Sequence, residues 1–277
     1  MSGISTTTDR QPPGEWIDRG AAFPWLIAHR GAMTEAPENT RAAFEKALSY
    51  PVDGIELDVQ LSRDGVPVIF HDASLKKING ARKPVSAYTY SELCQMDWGG
   101  WFSNAYAGEP ILTLEDTLNQ FGRQSRLLIE IKADRANAGQ TENCALAHQA
   151  VDLIQNIIPA ERFEKIMVLS FDTDIIATAM RRAPQLTYGL NLKTEKFLPW
   201  NGPVNLYAAS LPIHKISARF VAHCHSNGLK AMTYSCNTKA TLDKALGMGT
   251  NVIMTDDPGS ICLYMNRQKD EETVKEA

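Results

Sequence analysis

Residues 54–72 read GIELDVQLSRDGVPVIFHD. Alternate side chains of an extended strand share a face, so Glu56 and Asp58 point together while Ile55, Leu57 and Val59 point the other way. The same parity returns in RLLIEIK, 126–132, where Glu130 and Lys132 share one face and Ile129 and Ile131 the other. An antiparallel sheet with one wetted face would account for such alternation on its own. The rhythm of the surrounding chain argues against that. WLIAH (25–29) comes before it, followed by a helix expected over 37–50, and VPVIFH (66–71) closes it. KIMVLSF (165–171), LTYGL (186–190), VNLYAA (204–209), LKAMTYS (229–235) and NVIMT (251–255) come after. Helices are expected near 141–157, 172–182, 213–227 and 238–247.

Strand, helix, strand at this cadence means a parallel sheet with helices outside. Strand-like segments in this number, enough for eight barrel strands and without a GxGxxG fingerprint, favour a closed (β/α)8 barrel of the TIM type over a doubly wound sheet. One barrel domain is expected over 24–265, between irregular ends at 1–23 and 266–277. The cadence breaks over 72–110, which carry Trp98, Gly99, Gly100, Trp101 and Phe102. That span is too long for an ordinary connection and reads as a small insertion after the second strand region, beside the active face.

In a parallel barrel the second face of each strand looks inward, where an unpaired carboxylate is too costly to be filler. Glu56, Asp58 and Glu130 lie near the carboxyl ends of their strands, at the rim where barrel enzymes build their sites. Three converging carboxylates repel unless a cation joins them, and their hard oxygens select Mg²⁺ or Ca²⁺ over zinc. The bland alternative is simple charge balance by Lys132 and nearby arginines. His29 ends the first strand and His71 ends VPVIFH, so two imidazoles reach the same rim. Flanking three acids, they can serve as general acid and general base. Arg30 offers a guanidinium fork for phosphoryl oxygens, and Lys132 adds a point charge. Anion, cation, acid and base together point to phosphoryl transfer.

Composition narrows the partners. The chain has 277 residues, 44% hydrophobic, with a formal net charge of −4. It carries no basic block of the kind that clamps nucleic acid. MSGISTTTDRQPPGEW has neither the basic start nor the apolar core of a secretory signal, and no stretch is long enough to span a bilayer. A cytoplasmic protein with a small-molecule partner, no nucleic acid and no stable membrane insertion is therefore expected. Five scattered cysteines suit reduced thiols better than a disulfide framework. His223-Cys224-His225 lacks a second ligand pair at zinc spacing.

HRG (29–31), PENT (37–40), AF (43–44), residues 54–72, LIEIK (128–132) and TDDP (255–258), in this order, resemble the glycerophosphodiester phosphodiesterase family. The resemblance runs from about residue 25 to 260. It implies a barrel with a small insertion, a divalent cation, and hydrolysis of glycerophosphodiesters to glycerol 3-phosphate and an alcohol. It places the catalytic histidines on His29 and His71, the metal carboxylates on Glu56, Asp58 and Glu130, and the phosphate-contacting cations on Arg30 and Lys132. It further implies that the substrate's own glycerol hydroxyl attacks phosphorus to give a cyclic phosphate. In TYSCN (233–237), Tyr234 stands where the family commonly has tryptophan, which makes it a substrate-contacting position where specificity can differ. Leu112 replaces a frequent proline, a change expected to be structural.

Other residues take bland readings. Glu38, Asn39 and Thr40 sit where a helix is capped, though the same backbone could meet an anion. Asp256 and Asp257 are read as caps of the last helix, His148, His214, His223 and His225 as surface or packing residues, and Trp101 and Phe102 as insertion core or pocket wall. Two other functions fit the same residues: a related phosphodiesterase acting on lysophospholipids or sphingolipids, or an inactive barrel that binds phosphodiesters. The second would be expected to have lost one of the histidines or acids, and all five are present.

Overall fold

In a computed structural model of the chain, the structure describes residues 24–133, 140–195 and 206–265. The ends read as irregular from sequence lie outside the described residues. Nine strands form one sheet: β1 (Trp25–His29), β2 (Gly54–Leu61), β3 (Pro67–Ile69), β4 (Arg126–Ile131), β5 (Ile166–Ser170), β6 (Thr187–Asn191), β7 (Ala208–Pro212), β8 (Lys230–Tyr234) and β9 (Val252–Thr255). Eight are parallel neighbours in the order β1, β9, β8, β7, β6, β5, β4, β2, and β1 pairs with β2 to close the ring. This is the (β/α)8 barrel expected from the sequence.

VPVIFH departs from the expected pattern. Its strand, β3, is antiparallel to β2, with Val59 opposite Ile69 and Leu61 opposite Pro67. The chain overshoots the rim, turns through Gly65 (φ 80°) and returns, so His71 reaches the mouth from above. A short apolar run bounded by turn residues carries no strand direction, which explains the misreading.

The helices include α1 (Arg41–Leu48), α2 (Lys76–Asn79), α3 (Tyr90–Leu93), α4 (Leu114–Phe121), α5 (Gln140–Ile157), α6 (Thr173–Arg182), α7 (Ala218–Ser226) and α8 (Lys239–Gly247), and a last one runs over 258–265. Side-chain caps set where several begin: Thr40 accepts from Ala43 N, Asp172 from Asp174 N and Ile175 N, and Ser217 from Phe220 N. The first helix thus starts at residue 41 and not at 37, which frees Glu38 and Asn39 to face the barrel mouth. α7 likewise starts later than expected, and the part of VNLYAA within the described residues enters β7 at Ala208.

Parity holds around the ring. Ile55, Leu57, Val59, Leu127, Ile129 and Ile131 face outward into the layer shared with the helices. Ile27, Leu128, Met167, Leu169, Met232 and Met254 fill the barrel interior. Residues 72–111 form a small cap of short helices, with Phe70, Leu75, Leu93, Trp98 and Ile111 as its own core. Leu112 is buried against the barrel, in keeping with a structural role.

Gly31 permits the sharp exit from β1. It lies at φ 87°, and a Cβ there would come within 2.6 Å of the Ala43 carbonyl carbon. Strain of this kind costs about 1–3 kcal/mol. Gly31→Ala should therefore lower the melting temperature, followed by circular dichroism, by roughly 2–12 °C; an unchanged midpoint would show that the turn has room to spare.

Candidate active site

The carboxylates of Glu56, Asp58 and Glu130 converge at the carboxyl ends of β2 and β4, 2%, 1% and 7% exposed. Each offers an oxygen within 4.8 Å of the others. The register explains the meeting, since Asp58 is the neighbour of Glu130 and Glu56 that of His29. Charge compensation is dense. Lys132 Nζ lies 3.2 Å from Asp58 Oδ1 and 2.8 Å from Glu130 Oε1. Arg30 Nε lies 3.2 Å from Asp58 Oδ2 without hydrogen-bond alignment, so that contact is Coulombic. Asn39 Nδ2 donates to Asp58 Oδ2 at 2.9 Å and Asn191 Nδ2 to Glu130 Oε2 at 2.9 Å.

Backbone strain brings two of these groups in. Arg30 and Asn39 both adopt left-handed conformations, φ 57° and 58°. For non-glycine residues this costs about 1–3 kcal/mol each. Asn39 N donates to Arg30 O at 3.0 Å, so the two strained residues brace each other. Asn39, read from sequence as part of a helix cap, instead clamps Asp58, donating through its amide and accepting from Asp58 N through Oδ1.

The acids titrate apart. Burial, then the charges of Asp58 and Glu130, hold Glu56 well above its ordinary value. Burial also pushes Asp58 upward, but Lys132 and Arg30, with His71 and the Asn39 hydrogen bond, outweigh it and hold that acid low. Glu130 is raised by burial and by Asp58. Burial would lower Lys132 and Arg30, yet the carboxylates around them raise both. Raised acids crowded around hard oxygens are the situation that a divalent cation relieves, and the all-carboxylate donor set fits Mg²⁺ or Ca²⁺.

His29 and His71 stand at opposite flanks of this cluster. His29 Nδ1 donates to Asp256 Oδ1 at 2.6 Å, and its Nε2 lies 3.9 Å from Glu56 Oε2. Asp256 also accepts from Ser235 Oγ at 2.9 Å and Asn237 Nδ2 at 2.6 Å. Burial works against its charge, but the His29 hydrogen bond and charge, with Asn237 and Ser235, keep it below the usual carboxylate range. Reading both aspartates of TDDP as helix caps is thus half right. Asp257 accepts from Ser260 N, whereas Asp256 orients His29. Only the spacing of a DD pair was visible in sequence, and the partner lies 227 residues away. Tyr234 stacks on His29 with ring centroids 6.2 Å apart, and burial pushes its phenol up to about 12.

On the other flank His71 Nδ1 meets Asp72 Oδ1 at 3.0 Å. Lys77 of α2 binds Asp72 Oδ2 at 3.1 Å and Glu38 Oε1 at 2.7 Å, with its ammonium 4.8 Å above the half-exposed Trp101 ring. Glu38 also reaches Arg30 NH1 at 3.4 Å. Lys77 therefore ties the cap to the mouth. Trp98 is the tryptophan buried in the cap core, while Trp101 lies on its surface. His225 bonds Asn251 on the outer surface, remote from the acids.

A closed parallel barrel whose mouth gathers three acids, two cations and two anchored imidazoles has the equipment of a phosphoryl-transfer enzyme. The comparisons with known proteins agree. Residues 29–260 match the glycerophosphoryl diester phosphodiesterase family, and the chain belongs to it. It is 32% identical to a glycerophosphodiester phosphodiesterase of Caldanaerobacter subterraneus subsp. tengcongensis over 85% of this chain and 95% of that one. A lysophospholipase D of Mus musculus is 24% identical over 95% of this chain and 88% of its own. The fold matches that of an Oleispira antarctica phosphodiesterase solved with the product sn-glycerol-3-phosphate: TM-score 0.79, 23% identity, 88% of this chain and 97% of that one.

The His71–Asp72 pair sets an expectation for acid. Its hydrogen bond with His71 first, then Lys77, hold the Asp72 carboxyl at about 2, against 3.8 for the free group. A depressed acid contributes stability that is present above the unfolded value and is lost as pH falls through the folded one. Urea midpoints should thus drop between pH 4 and pH 2 for the native protein, and by less for Asp72→Asn; identical slopes would show the pair contributes nothing.

Proposed function

We propose that this protein hydrolyses glycerophosphodiesters to sn-glycerol 3-phosphate and an alcohol, with a divalent cation, Mg²⁺ or Ca²⁺, held by Glu56, Asp58 and Glu130. The observation that carries the reading is the placement of two imidazoles, each anchored through Nδ1 to an aspartate, on either side of the buried acid trio. Anchoring at Nδ1 leaves Nε2 of each ring for proton transfer at the substrate.

In this mechanism one histidine takes the proton from a glycerol hydroxyl as that oxygen attacks phosphorus. The other gives a proton to the departing alcohol oxygen. The product of this step is a cyclic phosphate, which water opens with the two roles exchanged. Because the nucleophile belongs to the substrate, holding it in line makes the attack intramolecular. Arg30 and Lys132 lie at the cluster's edge, where their charges can shift from Asp58 to the phosphoryl oxygens. A bound cation supplies charge stabilisation to the same oxygens. Tyr234, lying against His29, is placed to touch the substrate on that flank.

The substrate class is supported by the family and by the relative solved with sn-glycerol-3-phosphate. The mouse relative raises acylated diesters as a second possibility. Against it, Trp101 and Leu263 are the exposed large hydrophobics among the described residues, and two scattered side chains make no broad apolar rim among those residues. No helix among them is long and apolar enough to cross a membrane.

The purified protein should release glycerol 3-phosphate from glycerophosphocholine or glycerophosphoethanolamine faster than alcohol from lysophospholipid, and chelator should stop it. His29→Ala or His71→Ala should each cost about 10²- to 10⁴-fold in kcat with the circular dichroism spectrum unchanged. Full turnover in either variant would refute the proton-transfer scheme. Asp256→Asn, which keeps the shape but loses the carboxylate that orients His29, should cost about 10²-fold or more in kcat. Native turnover by that variant would show that His29 needs no orienting partner.

A further inference from the structure

Asn191 has no place in the reaction just described, yet it is a polar residue 5% exposed at the end of β6. Its strand neighbours on the same face are Gly189 and Thr187, and its amide meets Glu130 on β4, two strands along the ring, so it points inward and not toward the helices. Below it the interior is closed by Leu169, Leu128 and Met167. A carboxamide in such surroundings loses its hydration and must be repaid by specific partners.

Among the described residues its one side-chain partner is the cation-site acid. Asn191 Nδ2 donates to Glu130 Oε2 at 2.9 Å, while Lys132 engages Oε1 at 2.8 Å. The amide must be oriented this way, since the flipped form would set its oxygen against a carboxylate. Glu130 is thereby held by one neutral donor and one charged donor, one on each oxygen. The Asn191 Oδ1 that remains is buried without a partner. Its register neighbour on β7, Ser210, also carries a buried hydroxyl oxygen without a partner. Two orphaned groups side by side under a carboxylate serve no folding purpose that an apolar pair would not serve better.

We propose that Asn191 is a positioning residue of the cation site, fixing the Glu130 carboxylate for the ion, and that Ser210 supports it through a shared water. Lys132 is mobile in principle and is called on by phosphate, so when it leaves, Asn191 is the donor that keeps Glu130 from rotating away. Fixing a ligand before the ion arrives raises affinity by sparing the ordering cost, and outer partners of metal ligands are typically worth 10- to 100-fold in binding. Ser210 can donate to a water that in turn donates to Asn191 Oδ1, satisfying both orphans. This inference rests on the reading of Glu56, Asp58 and Glu130 as a divalent-cation site.

The test is calorimetric titration of the full-length apo protein with Mg²⁺ and with Ca²⁺, paired with the rise in melting temperature each ion produces. Asn191→Leu keeps the volume and removes the donor. It should weaken cation binding about 10-fold or more and shrink the ion-induced rise, with Ser210→Ala losing less. A residue that only packs the barrel would instead lower the melting temperature of the apo protein and leave the ion-induced rise intact. Native affinity in Asn191→Leu would overturn the proposal. If that variant does not fold, Asn191→Ser, smaller and still polar, is read by the same criterion. A native protein that binds neither ion would refute the cation-site reading itself, a result distinct from native-like binding by the variant.

Discussion

Three carboxylates buried within 4.8 Å of one another are the constraint on which the rest of this molecule depends. In a medium of low polarity each would keep its proton unless opposite charge and hydrogen-bond donors were brought close. The chain meets that demand with the cations Arg30 and Lys132, one residue beyond β1 and β4, and with the amides of Asn39 in the β1–α1 connection and Asn191 at the end of β6. Meeting it requires left-handed backbone at Arg30 and Asn39, which the rest of the fold must stabilise. Even so, Glu56 remains raised, so the protein's own cations leave room for one more positive charge.

Around this centre the barrel divides its labour between strands and insertions. The strands deliver the acids at fixed spacing through register, with Asp58 opposite Glu130 and Glu56 opposite His29. The β2–β3 hairpin and the cap beyond it deliver His71, Asp72 and Lys77, and so build one flank from irregular structure. The other flank comes from the loops after β8 and β9, where Ser235, Asn237 and Asp256 surround His29 and Tyr234 lies against it. The three acids thus sit on strands, whereas His71 and its partners come from irregular structure. Tyr234 and Trp101 lie at the two edges, one against His29 and the other under Lys77.

Much of this was legible in the sequence because it rests on short-range rules. Period-two alternation in 54–61 and 126–132 was enough to face Glu56, Asp58 and Glu130 inward, and strand–helix cadence was enough to close the barrel. What escaped depends on distance or direction. The reversal of β3 is a matter of strand direction, which an apolar run does not encode. The bond between Asp256 and His29 joins residues 227 apart, and a DD pair before proline matches a helix cap equally well. Asn191 gave no signal, because an asparagine at a strand end matches a turn residue until β4, two strands along the ring, is known to carry Glu130. Glu38 and Asn39 were misplaced by three or four residues of helix start, decided by the side-chain cap of Thr40.

We propose that the acid trio takes one divalent cation, with the histidines disposed about it. Anomalous diffraction from crystals of the full-length protein soaked in Mn²⁺ would locate such an ion, since Mn²⁺ also favours oxygen ligands. One strong peak is expected among Glu56, Asp58 and Glu130, with oxygen distances of about 2.0–2.6 Å. No peak there, or a peak confined to the Glu38, His71 and Asp72 side chains on the cap flank, would contradict it.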